Sequence, residues 1–90
     1  GKQRFPYYAL REQYYDDKYA ANLEKEDGVT PYSKAYWEKY SKSGRQEEFK
    51  SAVNETLAEM ARFKVEGAPA NLSDKPTWKD FIARLDKLTY

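Results

Sequence analysis

Three acidic pairs, Asp16-Asp17, Glu24 with Glu26, and Glu47-Glu48, are the candidates in this sequence for carboxyls that divide acid and base work. Adjacent residues on a helix point about 100° apart, and polar neighbours leave each carboxyl solvated with an ordinary affinity for protons. The pairs therefore read as helix faces and caps. Glu12 beside Asp16 and Asp17 would offer an all-oxygen cation site, but the alternating ligand spacing of a calcium loop is missing. The chain has no histidine and no cysteine, which removes thiol chemistry, disulfides, haem ligation by histidine and nearly all zinc sites. Its four glycines, at positions 1, 28, 44 and 67, fall at a terminus or at element boundaries and build no phosphate loop. The expectation is a protein that is not an enzyme and holds no metal or cofactor.

From Tyr32 to Lys42 a different chemistry is written: Tyr32, Tyr36, Trp37 and Tyr40 alternate with Lys34, Lys39 and Lys42 against the single acid Glu38. Aromatic rings beside cations are what single-stranded nucleic-acid sites use. Over the whole chain, however, 16 basic residues meet 15 acidic ones, without the basic excess of a nucleic-acid domain. Lysine stems covering an aromatic face are the simpler reading. Asn54-Glu55-Thr56 and Asn71-Leu72-Ser73 fit the glycosylation sequon, the first on a stripe that reads as buried.

The elements that position these residues follow from periodicity. Gln46 to Lys64 places Phe49, Val53, Thr56, Leu57, Met60 and Phe63 on one stripe, with Ser43 three residues before Gln46 as a capping box and Gly67 as the stop. Before it, Pro6 opens a helix that runs to about Glu26. Tyr7, Leu10 and Tyr14 form one stripe of that helix, and Tyr8, Tyr15, Tyr19 and Leu23 form a second, an arc too wide for one neighbour. Thr30-Pro31 starts a short helix to Lys42. After an irregular connector from Ala68 to Pro76, Thr77 caps a last helix carrying Trp78, Phe81, Ile82, Leu85 and Leu88 on one face. This predicts an all-α chain of four helices, its C-terminal antiparallel pair setting Phe49, Val53, Leu57 and Met60 against Phe81, Ile82, Leu85 and Leu88.

Fifteen aromatic residues outnumber the eleven Leu, Ile, Val and Met, and ten of the fifteen fall in the first 40 positions. Residues 1–45 thus read as a Tyr-rich partner-binding segment and residues 46–90 as a helical hairpin forming a small core of thin stability. The function expected is a non-catalytic accessory or interaction subunit of a larger protein assembly. It would bind protein through Tyr8, Tyr15, Tyr19, Tyr32, Tyr36, Trp37 and Tyr40, residue types suited to interfaces. A small nucleic-acid binder, or an inhibitor of another macromolecule, is the alternative. No run is apolar enough to span a bilayer, peripheral membrane association stays open, and a start at Gly1 allows a processed organellar or exported chain.

Overall fold

A computed structural model describes residues 7–25 and 29–89, with the backbone alone at 7–9, 17–19 and 88–89. Six helices follow one another among these residues: α1 (Tyr7–Tyr14), α2 (Asp17–Lys25), α3 (Pro31–Ser43), α4 (Gln46–Glu66), α5 (Ala70–Ser73) and α6 (Pro76–Thr89), with no strand. The all-α class holds and the count of four does not. The single N-terminal helix is divided by a turn at Tyr15 and Asp16, and the connector contains the short α5.

Local chemistry explains the α3 start as predicted. Thr30 accepts from the Ser33 backbone N–H at 3.2 Å, Ser33 Oγ accepts from the Thr30 N–H at 3.2 Å, and Pro31 fills the first turn. Val29, just before this cap, has a φ of 80°, a strained value for a β-branched residue. Two other caps differ from expectation. Ser43 ends α3 instead of capping α4, because Gly44 takes the left-handed conformation (φ 66°) and closes α3 with a 2.7 Å bond from its N–H to the Tyr40 carbonyl. Arg45 then stands at the start of α4 with no side-chain cap. Thr77 lies inside α6, buried, and its hydroxyl donates to the Asn22 carbonyl at 3.3 Å, so a tertiary contact has taken the group that would have capped.

The tightest helix pair is α3 with α4, not α4 with α6. Ser33, Ala52 and Thr56 are fully buried, and such small side chains let two helix backbones approach closely. Trp37 Nε1 donates to Thr56 Oγ1 at 2.8 Å, and that hydroxyl donates onward to the Ala52 carbonyl at 2.7 Å. Thr30 reaches Glu59 and Trp37 reaches Thr56, while Tyr40 packs on Phe49, so the two helices run antiparallel. The core includes Leu10, Tyr14, Ala20, Leu23 and Trp37 along with Phe49, Val53, Leu57, Met60, Phe81 and Leu85. It is therefore shared across residue 45 and is not confined to a C-terminal hairpin.

Among the described side chains α1 buries Leu10 and Tyr14, and α2 buries Ala20 and Leu23. α6 joins through α1 and α5 more than along α4. Tyr14 donates to Asp80 Oδ2 at 3.2 Å, Arg84 Nε binds the same oxygen at 2.7 Å, and Arg84 Nη1 also bonds Gln13 Oε1. The radius of gyration, 12.6 Å, is that of a chain closed on one core, about 12 Å for this length.

Two outcomes test this packing. Leu85 is 2% exposed whereas Lys87 is exposed, so Leu85→Ala should cost about 2–4 kcal/mol in denaturant melts and Lys87→Ala under about 0.5. Equal effects would mean that α6 docks by another face. Tyr14 gives a pH dependence: burial first, then the Asp80 charge, hold its phenol protonated well above the usual tyrosine range, although Arg84 works the other way. Below about pH 10 the phenol is protonated in both folded and unfolded chains and contributes no slope. As pH rises past that value the unfolded chain ionises while native Tyr14 does not, so stability falls by up to about 1.4 kcal/mol per pH unit. Tyr14→Phe should flatten this alkaline limb; an unchanged limb would show that the Tyr14 phenol ionises freely in the native chain.

Candidate interaction surface

Tyr32, Ala35, Tyr36 and Lys39 stand at helical spacing along one side of α3 and line a shallow depression of about 250 Å³. Pro31 and the Thr30 cap fix the first turn of this helix, and burial of Ser33 and Trp37 on its inner side turns the stripe outward. Tyr32 is 52% exposed, the only exposed aromatic side chain among the described residues. Its ring meets Tyr36 edge-on at 5.4 Å, the two hydroxyls are 3.3 Å apart, and Tyr32 donates to Glu55 Oε1 of α4 at 3.1 Å. The Lys39 ammonium lies 5.5 Å from the Tyr36 ring centre. Hydrogen bonding to Tyr36, then to Glu55, keeps the Tyr32 phenol above its ordinary ionisation range. An acid, a cation and two rings meet on one amphipathic surface, joined across α3 and α4 by the Tyr32 to Glu55 bond.

The sequence-predicted site residues divide sharply. Tyr32 and Tyr36 come together here. Tyr40 is half-buried, wedged against Trp37 (6.2 Å) and Phe49 (5.2 Å), and serves the core. Trp37 is 4% exposed and faces inward, which corrects its assignment to a partner-binding surface. Tyr15 is half-buried: it packs against the core, donates to Asn54 Oδ1 at 2.9 Å and carries Lys50 over its ring, away from the Tyr32 and Tyr36 stripe. The side chains of Tyr8 and Tyr19 lie outside the described residues. Ala35 recurs with Tyr32 and Tyr36 at helical spacing in the sequence but was not counted among the site residues, and Glu55 was missed because nothing local ties it to the stripe.

The remaining candidates are scattered. Glu47 pairs with Arg45 at 3.5 Å on the surface, Asp16 and Glu24 are exposed, and the side chain of Asp17 and all of Glu26 lie outside the described residues. Among the described residues no three acidic side chains converge on one point. Glu24, Lys34, Trp37, Glu38 and Ser41 line a second shallow groove, of about 290 Å³, with both signs of charge in it. Asn54 is half-buried within α4 and Thr56 is fully buried, so the first sequon is closed to modification by the fold. No helix among the described residues is long and apolar enough to cross a membrane. Comparison with protein families, with curated proteins and with solved structures finds no match.

The hydroxyl pair supplies its own test. Tyr36→Phe removes the largest cause of the Tyr32 shift, so the Tyr32 phenol followed by carbon-13 NMR should ionise at lower pH, nearer the usual value of about 10. The titration would stay where it is if the two hydroxyls do not touch in solution.

Proposed function

We propose that this protein is a non-catalytic interaction subunit which binds another protein through the outer stripe of α3. The observation that carries this reading is the contrast between Tyr32 and the other described aromatics. Tyr14, Trp37, Phe49 and Phe81 are buried, Tyr15, Tyr36, Tyr40 and Trp78 are partly buried against the core, and Tyr32 is the aromatic left half in water. Exposed Tyr with a rigid neighbour offers large contact area at small entropic cost, as interface residues do. Ala35 between the rings leaves room for an apolar side chain of the partner, and Lys39 and Glu55 supply charges of both signs at the rim.

A nucleic-acid role finds less support. Lys39 lies against the Tyr36 ring where a base would stack, and Glu55 stands beside Tyr32 where a phosphate would be repelled. The two readings differ in salt dependence: phosphate contacts make affinity fall steeply with salt, whereas an aromatic protein interface changes little.

The test uses the partner isolated with the native chain. Tyr32→Ser with Tyr36→Ser should lower its affinity about a hundredfold by calorimetry, with Lys87→Ala as a neutral control. Tyr32 is exposed while Tyr36 is half-buried against the core, so a denaturant melt first establishes that the double variant is folded. Unchanged affinity in a folded double variant would sink the proposal.

A further inference from the structure

The oxidisable side chains of this protein are unevenly protected. There is no cysteine, Met60 is fully buried, and Trp37 is sealed in the core with its indole N–H bonded. Tyr14 and Tyr15 are tied to Asp80 and Asn54, and Tyr40 is wedged against Trp37 and Phe49. Tyr32 and Tyr36 instead stand together on the outer side of α3. Among the described residues this pair is what an oxidant taking single electrons at the surface meets.

Four residues apart on a helix, the two side chains are neighbours by construction. Their hydroxyls are 3.3 Å apart and their ring centres 5.4 Å, with 68° between the ring planes. Oxidised tyrosines couple through the ring carbon next to the one that bears the hydroxyl, so hydroxyls in contact already bring the coupling edges together. The rest of the approach is a rotation of Tyr32, whose exposure leaves its ring room to turn. Proton transfer is provided for as well. The Tyr32 hydroxyl donates to Glu55 Oε1 at 3.1 Å, which uses its one proton, so in the contact between the hydroxyls Tyr36 is the donor. Glu55 is the base that takes the Tyr32 proton as an electron leaves. The Lys39 ammonium over the Tyr36 ring opposes removal of an electron there, which makes Tyr32 the first of the two to be oxidised.

We propose that Tyr32 and Tyr36 are an oxidative cross-linking site, joined into a dityrosine by a peroxidase with hydrogen peroxide. Each phenol loses one electron and one proton; the Tyr32 proton passes to Glu55 and on to water, and the Tyr36 proton passes to water. The two radicals then pair to form one carbon–carbon bond between the rings. The hydrogens on the joined carbons leave as protons while the two oxygens are reprotonated, which restores both aromatic rings. The two electrons and two protons removed overall reduce one hydrogen peroxide to two waters. The product is a covalent staple across one turn of α3. It goes beyond the partner-binding reading and does not rest on it, because the link forms in the free chain.

The test treats dilute wild-type chain with peroxidase and hydrogen peroxide. The expected product is a monomer that has lost two hydrogens and shows the violet fluorescence of dityrosine. Lys34 places Tyr32 and Tyr36 on different tryptic peptides, residues 26–34 and 35–39, so mass spectrometry should find those two joined. Tyr32→Phe and Tyr36→Phe keep the rings and should each remove that linked pair. Glu55→Gln should slow its formation at least about threefold, since an amide accepts the hydrogen bond but not the proton. No link in the wild type, links confined to other tyrosines, links only between chains, or an unchanged rate in Glu55→Gln would each overturn the inference.

Discussion

Burying an indole obliges the fold to find an acceptor for its N–H, and the bond from Trp37 to Thr56 meets that obligation. Thr56 passes its own proton to the Ala52 carbonyl, so no member of the relay is left unsatisfied. The geometry fixes the register of α3 against α4, since a shift of either helix by one residue would strand the nitrogen in an apolar interior. From that register follow the contacts of Tyr40 with Phe49, Thr30 with Glu59 and Tyr32 with Glu55. The outer stripe of α3 is thus set by what its inner side must satisfy.

A chain poor in aliphatic residues makes its core in the same way throughout. Tyr14, Trp37, Phe49 and Phe81 supply the bulk, and tilted or edge-on ring pairs add roughly 0.5–1.5 kcal/mol each beyond burial. The polar tips that such rings bring inward become cross-links between helices: Tyr14 to Asp80, Tyr15 to Asn54 and Trp37 to Thr56. Among the described residues no buried side-chain polar atom lacks a partner.

This explains how far the sequence could be read. The helical class, the α4 stripe from Phe49 to Met60, and the Thr30-Pro31 start were legible because each is fixed by residues within one turn or one face. The assignment of Trp37 to a partner surface failed because an aromatic with a polar tip has the same pattern whether the tip meets water or a distant acceptor. The division of the first helix was missed because angle counting assumes a straight axis. Tyr14-Tyr15-Asp16-Asp17 is a run of weak helix formers with a capping residue type just before α2, and bonds to Asn54, Asp80 and Arg84 tie residues 13–15 to α4 and α6. Of the candidate surface, Tyr32 and Tyr36 were readable from spacing, while Glu55 enters only through the α3–α4 register.

The two tryptophans divide the molecule spectroscopically. Trp37 is sealed in the α3–α4 seam with its indole proton bonded, whereas Trp78 is half-buried near the start of α6, tilted on Phe81 at 5.7 Å. Protection of the Trp37 indole proton therefore depends on α3 staying seated on α4, while the Trp78 ring senses the packing of α6 around Phe81, so the two rings watch different parts of one core.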